Sequence, residues 1–357
     1  MTVVDSSTDA TDRHAGASGY FDIAREHFAL AERSATVVTE DFRIAGLRIR
    51  LRCAGTALHD FITTALAHLR VEPGDGPELT VGLWDAQETG VTMPAAPWPD
   101  DKRRARGETA FFNAGSIHVY YQIDAGVLGV VDTRRGEAFV QVASAAAVPY
   151  YEQSHPLRTI LHVWLATRER QLVHAGAVGT SVGAVMLAGM SGCGKSTATL
   201  ACLRAGMLYL GDDYTVAWDG ARPHVASLYS IAKLNPDNLA RFPELKPLNA
   251  ARLASQKALV PLHPQFAAQL APVLPLRAIL LPWVSGVKNS RLTSTTASQL
   301  LRAMAPSTVL QLPGAGQSAL RALGELVTRV PCFILESGSD LATIPAAIQE
   351  ILIETGS

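Results

Sequence analysis

Residues 189–196 read Gly-Met-Ser-Gly-Cys-Gly-Lys-Ser and fill every fixed position of the phosphate-loop pattern G-x-x-x-x-G-K-[ST]. Such a loop works only where a buried strand ends and a helix begins, because its anion site is made from backbone N–H groups and the positive end of that helix. The neighbouring sequence supplies both, with the apolar run Ala184–Ala188 before the loop and a helical stretch from Ser196 to Arg204 after it. Gly189, Gly192 and Gly194 permit positive φ and let the backbone approach phosphate oxygens without a Cβ in the way. Lys195 can reach the β- and γ-phosphates, and the Ser196 hydroxyl suits a Mg²⁺ ligand position. The expected nucleotide-binding residues are therefore Gly189, Met190, Ser191, Gly192, Cys193, Gly194, Lys195, Ser196 and Thr197, with ATP and Mg²⁺ as cofactors.

Arg204 and Gly206 give the helix a basic last turn and a left-handed stop, after which Met207–Leu210 reads as a short buried strand. That strand delivers Gly211-Asp212-Asp213 at its carboxyl end, the side on which open α/β sheets bind ligands. Two adjacent carboxylates can divide the work, one holding Mg²⁺ directly or through water and the other taking the proton of an attacking hydroxyl. Upstream, Leu172–Val178 reads as a strand carrying His174. Spacing alone favours a core or turn place for that histidine over a catalytic one.

His174, the loop Gly189–Ser196 and Asp212-Asp213 together resemble the nucleotide-binding half of the HPr kinase/phosphorylase family. That family shows an H-G-x-x-V strand, a G-x-S-G-x-G-K-S loop and a strand ending in Asp-Asp. Here the first motif runs His174-Ala175-Gly176-Ala177-Val178, with one residue inserted between the histidine and the glycine. The resemblance implies a mixed-sheet catalytic fold related to phosphoenolpyruvate carboxykinase. It also implies Asp213 as proton acceptor, Lys195 and Ser196 on phosphate and Mg²⁺, His174 in the active site and Asp212 as a metal or water ligand. The implied reaction is transfer of the γ-phosphate of ATP to a serine hydroxyl. The family's downstream E-x-R-G-x-G-I signature has no counterpart, so phosphorolysis is not implied. A peptide-tailoring branch of HPr kinase-like enzymes, acting on ribosomal peptides such as lasso peptides, fits a chain of this kind.

The chain has 357 residues, 48% of them hydrophobic and 18% charged, enough to bury one or two large cores. Its net charge of −1 and the lack of a long basic stretch argue against a nucleic-acid partner. No apolar span suggests a membrane segment, and Cys53, Cys193, Cys202 and Cys332 are scattered without C-x-x-C spacing, which leads to the expectation of a reducing cytoplasm. Residues 1–19 are poor in large apolar side chains and are expected to be disordered. Residues 20–150 read as a smaller α+β domain with an antiparallel sheet, possible ground for substrate binding, and residues 151–357 as an α/β (mixed α+β) catalytic domain. The run Asp100-Asp101-Lys102-Arg103-Arg104 falls in a Pro-rich loop.

The partner expected is a protein or peptide carrying the target serine, and a homo-oligomer is also compatible with the sequence. Two other readings remain open on the sequence: a kinase of a free small-molecule hydroxyl, and an ATP-binding regulatory module without transfer. Lys233 and Lys257 are further candidates for contacting phosphate or substrate.

Overall fold

The computed structural model describes residues 6–93, 109–122, 125–250, 257–312 and 316–356. The charged run at residues 100–104 lies outside them. The chain divides into two compact units, one made of Met1–Arg43, Leu47–Thr63 and Arg70–Gln153, the other of Ile44–Gly46, Thr64–Leu69 and Ser154–Ser357.

The elements of the first stretch are α1 (Ser6–Ser34), β1 (Val37–Ile44), β2 (Leu47–Ala54), α2 (Ala57–Leu66), β3 (Arg70–Val71), β4 (Leu79–Asp85), α3 (Ala86–Thr89), β5 (Thr109–Ala114), β6 (Ile117–Gln122), β7 (Val127–Asp132), β8 (Glu137–Val142) and α4 (Tyr150–Ser154). Eight strands form one sheet in the order β3-β1-β2-β4-β8-β7-β6-β5. The meander β5–β8 is antiparallel, as the run of short β-rich segments predicts. The helical connection α2 turns the chain back between β2 and β4, so β2, β4 and β8 pair in parallel and the whole sheet is mixed.

The expectation of disorder through residue 19 is corrected here, because α1 runs unbroken from Ser6 to Ser34. Composition suggested a tail, but Ala17, Tyr20, Phe21, Ala24, Phe28 and Ala31 recur at helical spacing and are buried in one cluster with Trp84, Val130 and Phe139. Gly82 makes room for this helix, since a Cβ there would stand 2.7 Å from the Phe28 ring.

The second stretch continues with α5 (Arg158–Ala166), β9 (Gln171–Val173), β10 (Ala175–Thr180), β11 (Gly183–Ala188), α6 (Lys195–Arg204), β12 (Leu208–Gly211), β13 (Thr215–Asp219), β14 (Pro223–Ser227), β15 (Ile231–Leu234), α7 (Pro236–Ala240), β16 (Ala258–Pro261), β17 (Val273–Val284), β18 (Arg291–Ser294), α8 (Ala297–Gln311), α9 (Gly316–Arg329), β19 (Cys332–Ser337) and α10 (Thr343–Gly356). The spine of its nine-stranded sheet is β17, which pairs antiparallel with β14 at its start and parallel with β11 and then β19 further along. This unit is thus a mixed α/β fold.

Helices cover both faces of that sheet. On one side α6 and α10 pack with the two-stranded ribbon β15–β16 over Val185, Leu187, Leu280 and Leu335. On the other, α8 and α9 cover Met186, Ala188, Leu210 and Ile279. The predicted single strand Leu172–Val178 is broken at His174: β9 pairs with β13, whereas β10 pairs with β11 and β12. One strand changes partners at that residue, which leaves the histidine side chain at the joint.

Candidate functional site

The loop between β11 and α6 has the backbone its sequence demands. Gly189, Gly192 and Gly194 stand at φ 143°, 88° and 106°, a region costly for a residue with a Cβ. Gly194 caps the helix N-terminus without a side-chain hydrogen bond, so the first N–H groups of α6 remain for an anion. Met190, Ser191 and Gly192 form the exposed tip, Cys193 is half-buried, and Lys195 and Thr197 are buried at the base. The Lys195 ammonium folds back onto its own loop, donating to the carbonyl oxygens of Gly189 at 2.8 Å and Met190 at 3.2 Å. Burial lowers the pKa of this ammonium.

The acidic pair is brought to the loop by the close packing of β10, α6 and β12. At Gly176 a Cβ would lie 2.7 Å from Thr199 Cγ2, 3.1 Å from Gly211 O and 3.2 Å from Asp212 Cα, so only glycine lets the three meet. Asp212 is buried and its Oδ2 accepts the backbone N–H of Lys233 at 3.0 Å, which pins β15 to the end of β12. Burial, then repulsion from Asp213, push Asp212 up to about 6.

Asp213 has the opposite environment. Its Oδ1 lies 2.7 Å from His174 Nε2, and its Oδ2 lies 2.5 Å from Lys233 Nζ and 3.5 Å from His155 Nε2. Burial alone would raise this carboxyl, but the Lys233 ammonium and then the His174 hydrogen bond hold it well below the usual carboxylate range. Burial would lower Lys233, and the Asp213 carboxylate more than offsets it. Both histidines are shifted down by burial, His155 most strongly, so neutral imidazoles surround the charged pair.

Aromatic rings hold these imidazoles in place. Tyr214 packs against His155 at 4.8 Å and His174 at 5.3 Å, and Tyr229 meets His155 edge-on at 5.1 Å. The hydroxyl of Tyr214 receives a hydrogen bond from Arg158, and that of Tyr229 donates to Pro156 O.

A cavity of about 170 Å³ gathers His174, Lys195, Ser196, Asp213, Lys233 and Lys257 on its walls. It is smaller than the roughly 300–1,000 Å³ of pockets that enclose drug-sized ligands, and it suits the phosphate end of a nucleotide and an incoming hydroxyl. Three lysines and a helix N-terminus against one ionised carboxylate make it a place for a polyanion.

The structure thus brings His174, Lys195, Ser196, Thr197 and Asp213 to one cavity, with Asp212 buried beneath it. Lys233 and Lys257 join them. The sequence reading missed His155, which sits in Ser-His-Pro at the break before α5 and carries no motif. Among the described residues no group of three or more His, Cys, Asp or Glu could hold a metal alone. None of the described helices is long and apolar enough to cross a membrane.

No family model matches this chain, and no curated protein does. Among solved structures it is similar to the Hpr(Ser) kinase/phosphatase from Coxiella burnetii, at 11% identity and a TM-score of 0.31, over 52% of this chain and 99% of that one. So slight a likeness transfers no residue roles.

Proposed function

We infer that this protein transfers the γ-phosphate of ATP to a hydroxyl, with a serine of a peptide or protein as the acceptor. The observation that carries this reading is that an ionised carboxylate, Asp213, shares one cavity with the phosphate loop and its lysine. The loop's N–H groups bind phosphate oxygens, and Lys195 exchanges its two carbonyl partners for them, placing positive charge where the transferring group needs it. Asp213 takes the proton of the attacking hydroxyl. A loose phosphoryl-transfer transition state asks for a positioned acceptor more than for a strong base, so a carboxylate of low pKa is adequate. His174 and His155 act as positioning residues that hold it from the buried sides.

Ser196 on the cavity wall and the buried Asp212 at the end of β12 are hard oxygen donors, a set that fits Mg²⁺ sharing its shell with phosphates and water. The ion supplies neutralisation of β- and γ-phosphate charge when bound. Serine as the acceptor is supported by the likeness of the His174, loop and Asp-Asp motifs to the HPr kinase/phosphorylase pattern.

The test offers γ-labelled ATP and Mg²⁺ to the full chain with a serine peptide library, and separately with a pool of hydroxyl metabolites. Label on peptide serine is expected. Label confined to a metabolite changes the acceptor class, and tight ATP binding with no transfer overturns the enzyme reading in favour of a regulatory module.

A further inference from the structure

Both carboxylate oxygens of Asp213 already have partners, although the residue lines the cavity. His174 occupies Oδ1, and Lys233 and His155 face Oδ2. The two partners of Oδ2 differ in access: the His155 side chain is only 1% exposed, whereas the Lys233 side chain is 16% exposed and lines the cavity. A hydroxyl entering from the cavity therefore meets the ammonium beside the carboxylate, since both line its wall. On Oδ2 the ammonium competes with that hydroxyl for the carboxylate.

The backbone of Lys233 cannot withdraw from Oδ2, since its N–H is bonded to Asp212 and β15 is paired residue by residue with β16. The side chain can, on its four-carbon stem. Leaving a carboxylate without replacement is costly for a mostly buried cation, so an anion must arrive in the same space. The loop that lines this cavity is built to deliver one.

Resting on the phosphotransfer reading above, we propose that Lys233 is a counterion switch: its ammonium caps Asp213 in the free protein, and the γ-phosphate of ATP draws it away, opening Oδ2 to the acceptor hydroxyl. Lys233 is then a γ-phosphate ligand as well as a gate. ADP lacks the group that moves it. In the step that follows, the bond from the acceptor oxygen to Pγ forms, and the bond from Pγ to the β–γ bridging oxygen breaks with its electron pair going to ADP. The hydroxyl proton passes to Asp213 Oδ2. After the products leave, Lys233 returns and that proton is released to water. The arrangement couples base exposure to nucleotide occupancy, so the carboxylate is uncapped only when there is a phosphate to transfer.

Calorimetric titration of the full chain with Mg²⁺ADP and with the Mg²⁺ salt of β,γ-imido-ATP tests the switch without an acceptor. The wild type is expected to prefer the triphosphate analogue. Lys233→Met should reduce that preference by about 10- to 100-fold, the worth of one charge-assisted hydrogen bond, while leaving ADP affinity nearly unchanged. Lys233→Arg should keep it. Asp213→Asn removes the competitor for the ammonium and should increase the preference, and the increase should vanish in the double variant with Lys233→Met. A Lys233→Met protein that loses affinity for both nucleotides equally, or for neither, overturns the switch. If that variant does not fold, Asp213→Asn decides, and an unchanged preference there overturns it. A wild type that binds neither nucleotide sinks the phosphotransfer reading itself, whereas a wild type that binds both, with the preference intact in Lys233→Met, sinks only the switch.

Discussion

The phosphate loop and the cluster around Asp213 face each other across one cavity, yet they hold charge by different means. The loop uses consecutive backbone N–H groups and the end of α6, and its one ionised side chain rests on neutral carbonyl oxygens. The cluster uses side chains only, with a lysine, a carboxylate and two imidazoles packed within hydrogen-bond or ion-pair reach beneath Tyr214 and Tyr229. Backbone dipoles cannot titrate and are hard to remove by mutation, whereas side-chain charges are sensitive to both pH and substitution. Apart from the glycines that set its backbone, the loop should therefore fail only through Lys195 and Ser196, and the cluster at each of its members.

The largest effect is expected at Lys195, the point where the loop's charge is a side chain. Lys195→Ala should lower γ-phosphate transfer by about 10³-fold or more, in the range known for a cation that stabilises the transferring phosphoryl group. A labelled-phosphate assay checks it, and transfer within a few-fold of wild type would remove the loop from the chemistry. Next comes Asp213→Asn, where loss of proton acceptance should cost about 10²- to 10⁴-fold in kcat with ATP affinity no lower than that of the wild type. If that variant instead lost Mg²⁺-dependent nucleotide binding and Asp212→Asn were nearly silent, the roles of the adjacent acids would be exchanged.

His174→Ala sharpens the comparison from the cluster side. A residue that works by holding Asp213 should cost roughly 10- to 100-fold alone and little more in the Asp213→Asn background, because groups acting as a unit are not multiplicative. Multiplicative losses in single-turnover kinetics would make His174 an independent part of the fold. Ser196→Ala should be milder, weakening nucleotide binding in Mg²⁺ but leaving metal-free binding as it is. Equal weakening in EDTA would deny Ser196 its place at the metal.

These two regions also differed in how far the sequence announced them. The loop is eight consecutive residues whose spacing is itself the mechanism, and Gly211-Asp212-Asp213 follows one helix and one strand later. Local order along the chain is enough to read both. His155 and Lys233 reach Asp213 from other segments, through a helix break at Leu157 and a ribbon strand tied to Asp212; His155 carries no local signal, and Lys233 could be read only as a candidate phosphate or substrate contact, not as a partner of Asp213. The break of one expected strand at His174 depends on β9 and β10 choosing different neighbours, which no periodicity records. In the first unit, the composition of residues 1–19 pointed to a tail, and the buried stripe from Ala17 onward belongs instead to a long helix.

The smallest expected effect concerns pH, and it separates the two regions most cleanly. His155 is held neutral because burial, then the nearby Lys233, push its pKa well below 6.5. Unfolding exposes it to water, where it binds a proton below about 6.5, so the unfolded state takes up more protons than the folded one and acid favours unfolding. The stability this histidine contributes is complete above its unfolded pKa and is lost as pH falls toward the folded value, by at most about 1.4 kcal/mol per pH unit. His155→Gln keeps a polar group beside Asp213 and Tyr214 but cannot titrate, so its urea midpoint should fall less than that of the wild type between pH 7.5 and pH 5.5. His68 and His162, both lowered to about 4 by burial, remain in the variant and preserve part of the slope. Ser191→Ala at the loop tip carries no such group and should follow the wild-type curve. Identical slopes for the wild type and His155→Gln would show that His155 binds its proton equally in both states, and the contrast between a titrating cluster and a non-titrating loop would then not hold at that residue.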